Sequence, residues 1–151
     1  MSEQIDPKCE IRRLMAHPKA YFGTLAVRDG SKYPFVSVVV PALDGGGSPL
    51  LLLSDLSDHV KNLQADSNTS LLFDGTEGRA EPLTGPRVTL LGTVAVTTAK
   101  EDKDAYLARH PSAELYAGFG DFRFYRFTPF EALLVAGFGK IHRLVAAELQ
   151  L

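Results

Sequence analysis

Several kinds of residue are scarce in this sequence, and each scarcity excludes a class of protein. Cys9 is the single cysteine, so the chain cannot form an internal disulfide or a thiolate metal cluster, and we predict a reduced bystander thiol. Lys and Arg do not cluster and the formal net charge is −2, which argues against a nucleic-acid partner because several cations on one face hold a phosphate backbone. The HExxH, paired-cysteine and nucleophile-elbow motifs do not occur, so we predict no metal site and no hydrolase.

Long hydrophobic runs are scarce as well. No apolar run approaches the roughly 20 residues that cross a bilayer. The N-terminus MSEQIDPKCEIRRL lacks the charged-then-apolar order of a signal peptide. We therefore expect a cytoplasmic protein with no membrane partner.

The residues that are present suffice for one core. The 151 residues include 45% hydrophobic and 23% charged side chains, which predicts a single domain over 1–151. Apolar or alternating runs, separated by turn residues, predict strands over 21–27, 35–42, 50–54, 69–73, 86–97, 122–128 and 133–142. Most connections are too short for a crossover helix, so we expect an antiparallel barrel.

Short helices are predicted beside these strands. Asp6 as N-cap, followed by Pro7, begins the first helix. Ser57 begins the second helix, which extends to about residue 65. The third helix starts at the capping box Thr98-Ala99-Lys100-Glu101 and is interrupted by His110-Pro111, and a further short helix covers 112–116.

The helix that begins at Ser57 directly follows a strand, so its free backbone N–H groups and its positive dipole end suit an anion. His59 and Lys61 lie in or next to its first turn, and the hydroxyls of Ser54 and Ser57 are close in sequence. Such cations and hydroxyls add charge-assisted and hydroxyl bonds to a phosphate. The alternative is an ordinary strand-to-helix turn with a serine cap, solvated charges and no ligand.

Several blocks of sequence occur in the order found in one superfamily. The blocks GTLAVRDGSKYPFVSVVVPALD, PLLLLSDLSDHVKNLQADSNTSLLF and GPRVTLLGTV resemble the FMN-binding split barrels related to pyridoxamine 5'-phosphate oxidase. The blocks LLLLSDLSDHVKNL, PLTGPRVTLLG, YLARHPSAELYAGFGDFRFYRF and LVAGFGKIH are similar to its haem-utilisation branch. The resemblance implies a mainly β, antiparallel split β-barrel with short flanking helices, which acts as an FMN-binding flavoprotein and oxidoreductase of unknown substrate and forms a homodimer. The alternative that it implies is a haem-binding or haem-degrading protein on the same scaffold.

The resemblance also assigns residues to the FMN site. It implies that His59 and Lys61 hold the phosphate near Ser57. Asp58 departs from the family pattern, because the related oxidases tend to have a cation at this position, and its carboxylate would repel a phosphate. The residues implied to contact the flavin ring or the rest of the cofactor are Ser37, Val38, Val39, Leu53, Ser54, Arg87 and Thr89. For Arg87 the alternative is a surface ion pair with Glu81.

For haem, the resemblance favours His142, since members of the branch often ligate iron from C-terminal segments and neutral imidazole is a suitable axial ligand. The alternative is a half-buried polar residue with no ligand. His17 is expected to bond the end of the first helix, His110 to lie in a turn between helices, and His59 to belong to the phosphate site. Longer relatives continue into a further C-terminal domain, whereas this chain stops at Leu151, so we expect fewer haem ligands here.

Overall fold

Eight strands form one antiparallel sheet in the computed structural model, which describes residues 6–149. The strands are β1 (Ala20–Arg28), β2 (Ser31–Val39), β3 (Ala42–Leu43), β4 (Pro49–Ser54), β5 (Asn68–Asp74), β6 (Arg87–Val96), β7 (Phe122–Gly137) and β8 (Lys140–Val145). Their order across the sheet is β2-β1-β5-β6-β7-β4-β3, and β8 pairs with β7. The predicted antiparallel split barrel is therefore confirmed.

Short helices flank the sheet. They are α1 (Pro7–Met15), α2 (Asp58–Ala65), α3 (Lys100–Arg109), α4 (Glu114–Ala117) and α5 (Ala146–Leu149), with 3-10 turns at Pro82–Thr84 and Pro111–Ala113. Asp6 caps α1 by accepting a bond from the Lys8 N–H at 3.0 Å. Between Asp6 and Leu149, none of these helices has the length and apolarity needed to cross a membrane.

The barrel core follows from alternation along the central strands. Successive residues of a strand point to opposite faces, so every second side chain is buried. Phe22, Leu71, Phe73, Val88 and Leu90 are all fully buried. Gly92 allows β6 and β7 to approach closely, because a Cβ at this position would lie 2.2 Å from the Thr128 carbonyl oxygen.

The split in the barrel lies between β2 and β4. β2 pairs only with β1, and β4 pairs with β7 and, through Leu50 and Pro49, with β3. In the described part of the chain, the second edge of β2 and the Leu51–Ser54 edge of β4 take part in no strand pairing. Two strand edges with free backbone polar groups therefore border this region.

Three local predictions differ from the structure. The strand predicted over 35–42 begins at Ser31 and ends at Val39, and only Ala42–Leu43 pairs with β4. The strand predicted over 133–142 is wrong, because the chain reverses near Gly139, where φ is +76°, and β8 returns along β7. The segments 122–128 and 133–137 instead belong to one 16-residue strand, β7.

The predicted capping box of the third helix is also wrong. Ala99 is the N-cap of α3, and no side chain caps this end. The Thr97 hydroxyl donates to Asp102 at 2.6 Å instead. Asp102 is only 3% exposed and also accepts a bond from Arg126, which reaches Asp44 as well. This ion-pair network fixes α3 to the sheet beside β4.

Candidate functional site

A cavity of about 350 Å³ lies at the split, between the end of β2 and the edge of β4. Ligand pockets typically occupy roughly 300–1,000 Å³, so this cavity has the size of a small-molecule site. Of the residues predicted for the cofactor, those that line it are Val38, Val39, Leu53, Ser54, Ser57 and His59. The remaining walls are formed by Val40, Leu51, Leu52, Tyr106, Tyr116 and Phe122.

His59 is the histidine that lines this cavity. Its Nδ1 shares a hydrogen bond of 3.0 Å with the Ser37 hydroxyl, and its ring packs edge-on against Phe22 at a centroid distance of 5.9 Å. These two contacts fix the ring, while Nε2 takes part in none of the hydrogen bonds described for residues 6–149. Burial lowers the pKa of His59, against a smaller opposing influence of Asp58. The imidazole is therefore neutral at neutral pH, as a metal ligand must be.

The first turn of α2 borders the same cavity. Ser57 is its N-cap, as predicted, but its hydroxyl donates to the Ser54 carbonyl oxygen at 2.6 Å instead of capping the helix. The Ser54 hydroxyl in turn donates to Asp121 at 2.7 Å. The N–H groups at the start of α2 thus keep their capacity to bind an anion from the cavity.

Four of the residues predicted for the FMN site do not line this cavity. Lys61 is exposed on α2, and Thr89 is half-buried on β6, opposite Leu72 of β5. Arg87 donates to the carbonyl oxygens of Leu83 and Gly85 at 3.0 and 3.1 Å. The ion pair between Arg87 and Glu81 does not occur among the residues that the structure describes. Ser37 contributes through His59, as its hydroxyl supports the ring.

His142 also lies away from the cavity. It is a half-buried residue of β8 and is paired with Leu134 of β7, whereas the cavity uses the opposite, N-terminal end of β7 at Phe122. The other two histidines have the predicted local roles. His17 Nδ1 bonds the Leu14 carbonyl oxygen at the end of α1 at 2.9 Å, and His110 follows the last residue of α3.

The aromatic wall of this cavity, formed by Tyr106, Tyr116 and Phe122, was not predicted from the sequence. Tyr106 donates to the Val40 carbonyl oxygen at 2.7 Å, and His110 Nε2 bonds the Pro41 carbonyl oxygen at 2.8 Å. Both bonds attach α3 to the segment that leaves β2. Burial raises the pKa of Tyr106 well above its usual value, so this phenol stays protonated and keeps donating its bond. The helical spacing of Tyr106 and His110 was the available signal, since it places both side chains on one face of α3.

The fold and the cavity define a split-barrel protein with a cofactor-sized site. We call the cavity between β2 and β4 the cleft. The family model "CREG, beta-barrel" matches residues 12–149, and the chain belongs to this family. It is 40% identical over 108 residues to the chloroplastic heme oxygenase HOZ of Arabidopsis thaliana, which covers 70% of this chain and 32% of that protein. The chain thus spans about a third of the length of this relative.

Two solved structures illustrate the likeness. The heme binding protein from Mycobacterium smegmatis has a TM-score of 0.87 at 25% identity, with 99% of this chain and 62% of that chain covered. A pyridoxinephosphate oxidase family protein related to general stress protein 26, from Clostridium acetobutylicum, has a TM-score of 0.68 at 18% identity, with 96% and 99% covered. The second likeness shows the fold alone. The resemblance to oxidase-related split barrels and to their haem branch is confirmed.

Proposed function

We propose that this protein binds haem in the cleft between β2 and β4, with His59 as the protein ligand of the iron. The observation that carries the proposal is the half-buried neutral imidazole in a cavity that is mostly apolar and aromatic. The names of two similar proteins, a heme oxygenase and a heme binding protein, support this cofactor over FMN, which the sequence had ranked first. His142, the haem ligand expected from the resemblance, is replaced by His59 in this proposal.

The residues present fit the chemistry of haem. Val38, Leu53, Phe122 and Tyr116 supply apolar and aromatic surface for the macrocycle, because burial of such surface is favourable. The uncapped N–H groups of α2 suit the propionate anions. Ser37 holds the imidazole of His59 in one orientation, as partners of metal-ligating histidines commonly do. When bound, haem supplies one-electron and oxygen chemistry.

A haem titration of the folded chain tests this function. Wild-type protein should give the Soret band of a histidine-ligated haem, and His59→Ala should lose its position and intensity because the iron loses a nitrogen donor. His142→Ala is the matched control, since it removes a half-buried histidine from a different part of the sheet. Loss of the spectrum in His142→Ala but not in His59→Ala would refute the role of His59 and restore the ligand expected from the sequence.

FMN is the second candidate. The free edges of β2 and β4 offer backbone donors and acceptors to a flavin ring, and the start of α2 offers N–H groups to its phosphate. If FMN is the ligand, it should bind at least about tenfold more tightly than riboflavin, because a charge-assisted bond contributes roughly 1.5–3 kcal/mol. Tight haem binding together with no FMN binding would remove this candidate.

We also propose that the protein is a homodimer that pairs through the outer face of β2, β1, β5 and β6, which are neighbours in this order. This face exposes the aliphatic side chains of Val36 (67%) and Val38 (59%) beside Val27 and Leu91. Large exposed apolar patches mark interaction sites. Val38 also lines the cleft, so a partner on this face would border the ligand. Light scattering should give twice the 16.4 kDa mass of one chain, and a value equal to that mass at micromolar concentration would contradict the dimer.

A further inference from the structure

A second cavity lies on the other side of Phe122. It has a volume of about 400 Å³, and Phe122 lines both this cavity and the cleft. We call it the α3 cavity, because Lys100 and Lys103 of α3 form one wall and Phe122, Arg123 and Phe124 of β7 form the opposite one. None of the residues predicted for a cofactor lies in it.

The α3 cavity is lined by cations and by no carboxylate. Lys100, Lys103 and Arg123 are its charged residues, and all of its lining belongs to the described part of the chain. The lysine ion pairs between residues 6 and 149 are those of Lys19 with Glu77 and of Lys32 with Asp66, so Lys100 and Lys103 are unpaired there.

Four acids neighbour these lysines. Glu101 and Asp104, which lie beside them on α3, belong to none of the ion pairs among residues 6–149. Asp102 is buried and already bonded to Thr97 and Arg126. Asp55 forms an ion pair with Arg123 at 3.0 Å, so it offsets the charge of Arg123 and not that of either lysine. Both lysines are therefore available to an anion in the cavity.

The opposite wall is aromatic. Phe124 packs edge-on against Tyr106 at 5.6 Å, and Phe122 packs against Tyr116 at 4.9 Å, so both rings are held by the aromatic wall of the cleft. Aromatic side chains offer flat apolar surface to a planar ring, and lysines are common phosphate binders. The Thr98 hydroxyl adds a further polar group.

We infer that the α3 cavity binds an organic anion of the nucleotide class, with its planar ring on Phe122 and Phe124 and its phosphate on Lys100 and Lys103. This site is separate from the cleft and does not depend on the identity of the ligand there. Because Phe122 belongs to both cavities, the two ligands would bind with one aromatic ring between them.

Calorimetric titration with ADP, adenosine and inorganic phosphate tests the inference on the full chain. ADP should bind at least about tenfold more tightly than adenosine or phosphate alone, because each charge-assisted bond contributes roughly 1.5–3 kcal/mol. The double variant K100Q/K103Q should weaken ADP binding by about tenfold or more and leave adenosine unchanged. The control is K140Q, which removes an exposed lysine of β8 and should bind ADP as the wild type does.

Three results would overturn the inference: no ADP binding at millimolar concentration, equal affinity for ADP and adenosine, or equal ADP affinity in wild type and K100Q/K103Q. Haem titration of the same preparations separates this site from the proposed function. Haem binding without ADP binding would remove only the α3 cavity, whereas ADP binding without haem binding would remove only the haem proposal.

Discussion

The barrel interior and the cleft beside it share β2 and β4, but they differ in how their polar groups are satisfied. Inside the barrel, the amide of Asn62 donates to Thr24 at 3.0 Å and the Thr69 hydroxyl donates to the Gly92 carbonyl oxygen at 3.2 Å. Throughout residues 6–149, no buried side-chain nitrogen or oxygen is left without a partner. Among these residues, the interior thus offers no unpaired side-chain polar group to a ligand.

The cleft, in contrast, has polar groups without partners among the described residues. The edges of β2 and β4 are unpaired, the start of α2 lacks a side-chain cap, and the Nε2 atom of His59 is unbonded among the described contacts. Unpaired polar groups are costly when buried and useful where a ligand can pair with them. The barrel therefore supplies the stability, and the split supplies the binding groups.

The largest expected effect lies in the interior. Phe73 is fully buried among the strands of the core, and Phe73→Ala should lower the free energy of unfolding by about 3–5 kcal/mol because it removes buried surface and leaves a cavity. Tyr116→Ala, which truncates a half-buried ring in the cleft wall, should lower the free energy of unfolding by a smaller amount. Denaturant unfolding of the two variants measures both values, and equal losses would contradict the division between interior and cleft.

The ion-pair network between the sheet and α3 should come second. Arg126→Met leaves the buried Asp102 without its cation, and we expect a loss of about 2 kcal/mol, between the values for exposed and buried pairs. Burial by itself raises the pKa of Asp44, but the bonds from Arg126 and from the N–H groups of Ser48 and Gly46 hold this pKa below its usual value.

This pKa gives the network a pH dependence. A carboxyl group whose pKa is lower in the folded state stabilises the fold at pH values above its unfolded pKa of about 3.9. This stabilisation is lost as the pH falls through the folded pKa. Acid unfolding of the wild type below about pH 4 should therefore include a contribution that Arg126→Met reduces. Identical acid profiles for the two proteins would contradict it.

Ligand binding in the cleft should depend on pH for a different reason. Burial lowers the pKa of His59 below its ordinary value of about 6.5, so its neutral form predominates above that pH and is lost as the pH falls through the lower folded pKa. Haem affinity should therefore be constant near neutral pH and fall under mildly acidic conditions. A spectroscopic haem titration from pH 8 downwards measures this, and an affinity that rises on acidification would contradict a neutral imidazole ligand.

The smallest expected effect is that of Lys61→Ala. Lys61 is exposed and does not line the cleft, so its removal should change the free energy of unfolding by less than about 0.5 kcal/mol and leave the affinity for haem or FMN unchanged. The resemblance had assigned a phosphate bond to this lysine. A loss of FMN affinity in Lys61→Ala, with riboflavin unaffected, would return Lys61 to the site.

Much of the fold was predictable, because alternating side chains such as Leu71 and Phe73 record which face of a strand is buried. The length of β7 was not, since Pro129 and Glu131 interrupt its apolar pattern while pairing with β6 continues on both sides of the bulge at Gly92. Pairing with distant residues, which the local sequence does not encode, overrides the interruption.

The part of the site that β2, β4 and α2 form was predictable from the sequence. The residues of β2, β4 and α2 follow one another closely in the sequence, and their family pattern identified Val38, Leu53 and His59. Tyr106 and Tyr116 reach the cleft only because β4 pairs with β7, where Ser54 lies opposite Phe122, and because α3 and α4 precede that strand. The location of the enzyme or binding protein in the cell stays a prediction.

Chemical rescue tests directly whether His59 in the cleft ligates haem iron. The haem spectrum of His59→Ala should be recorded with and without added imidazole, with His142→Ala treated in parallel. We expect His59→Ala to lose the histidine-type spectrum and free imidazole, entering the space left by the side chain, to restore it. A wild-type haem spectrum in His59→Ala before any imidazole is added would contradict the account.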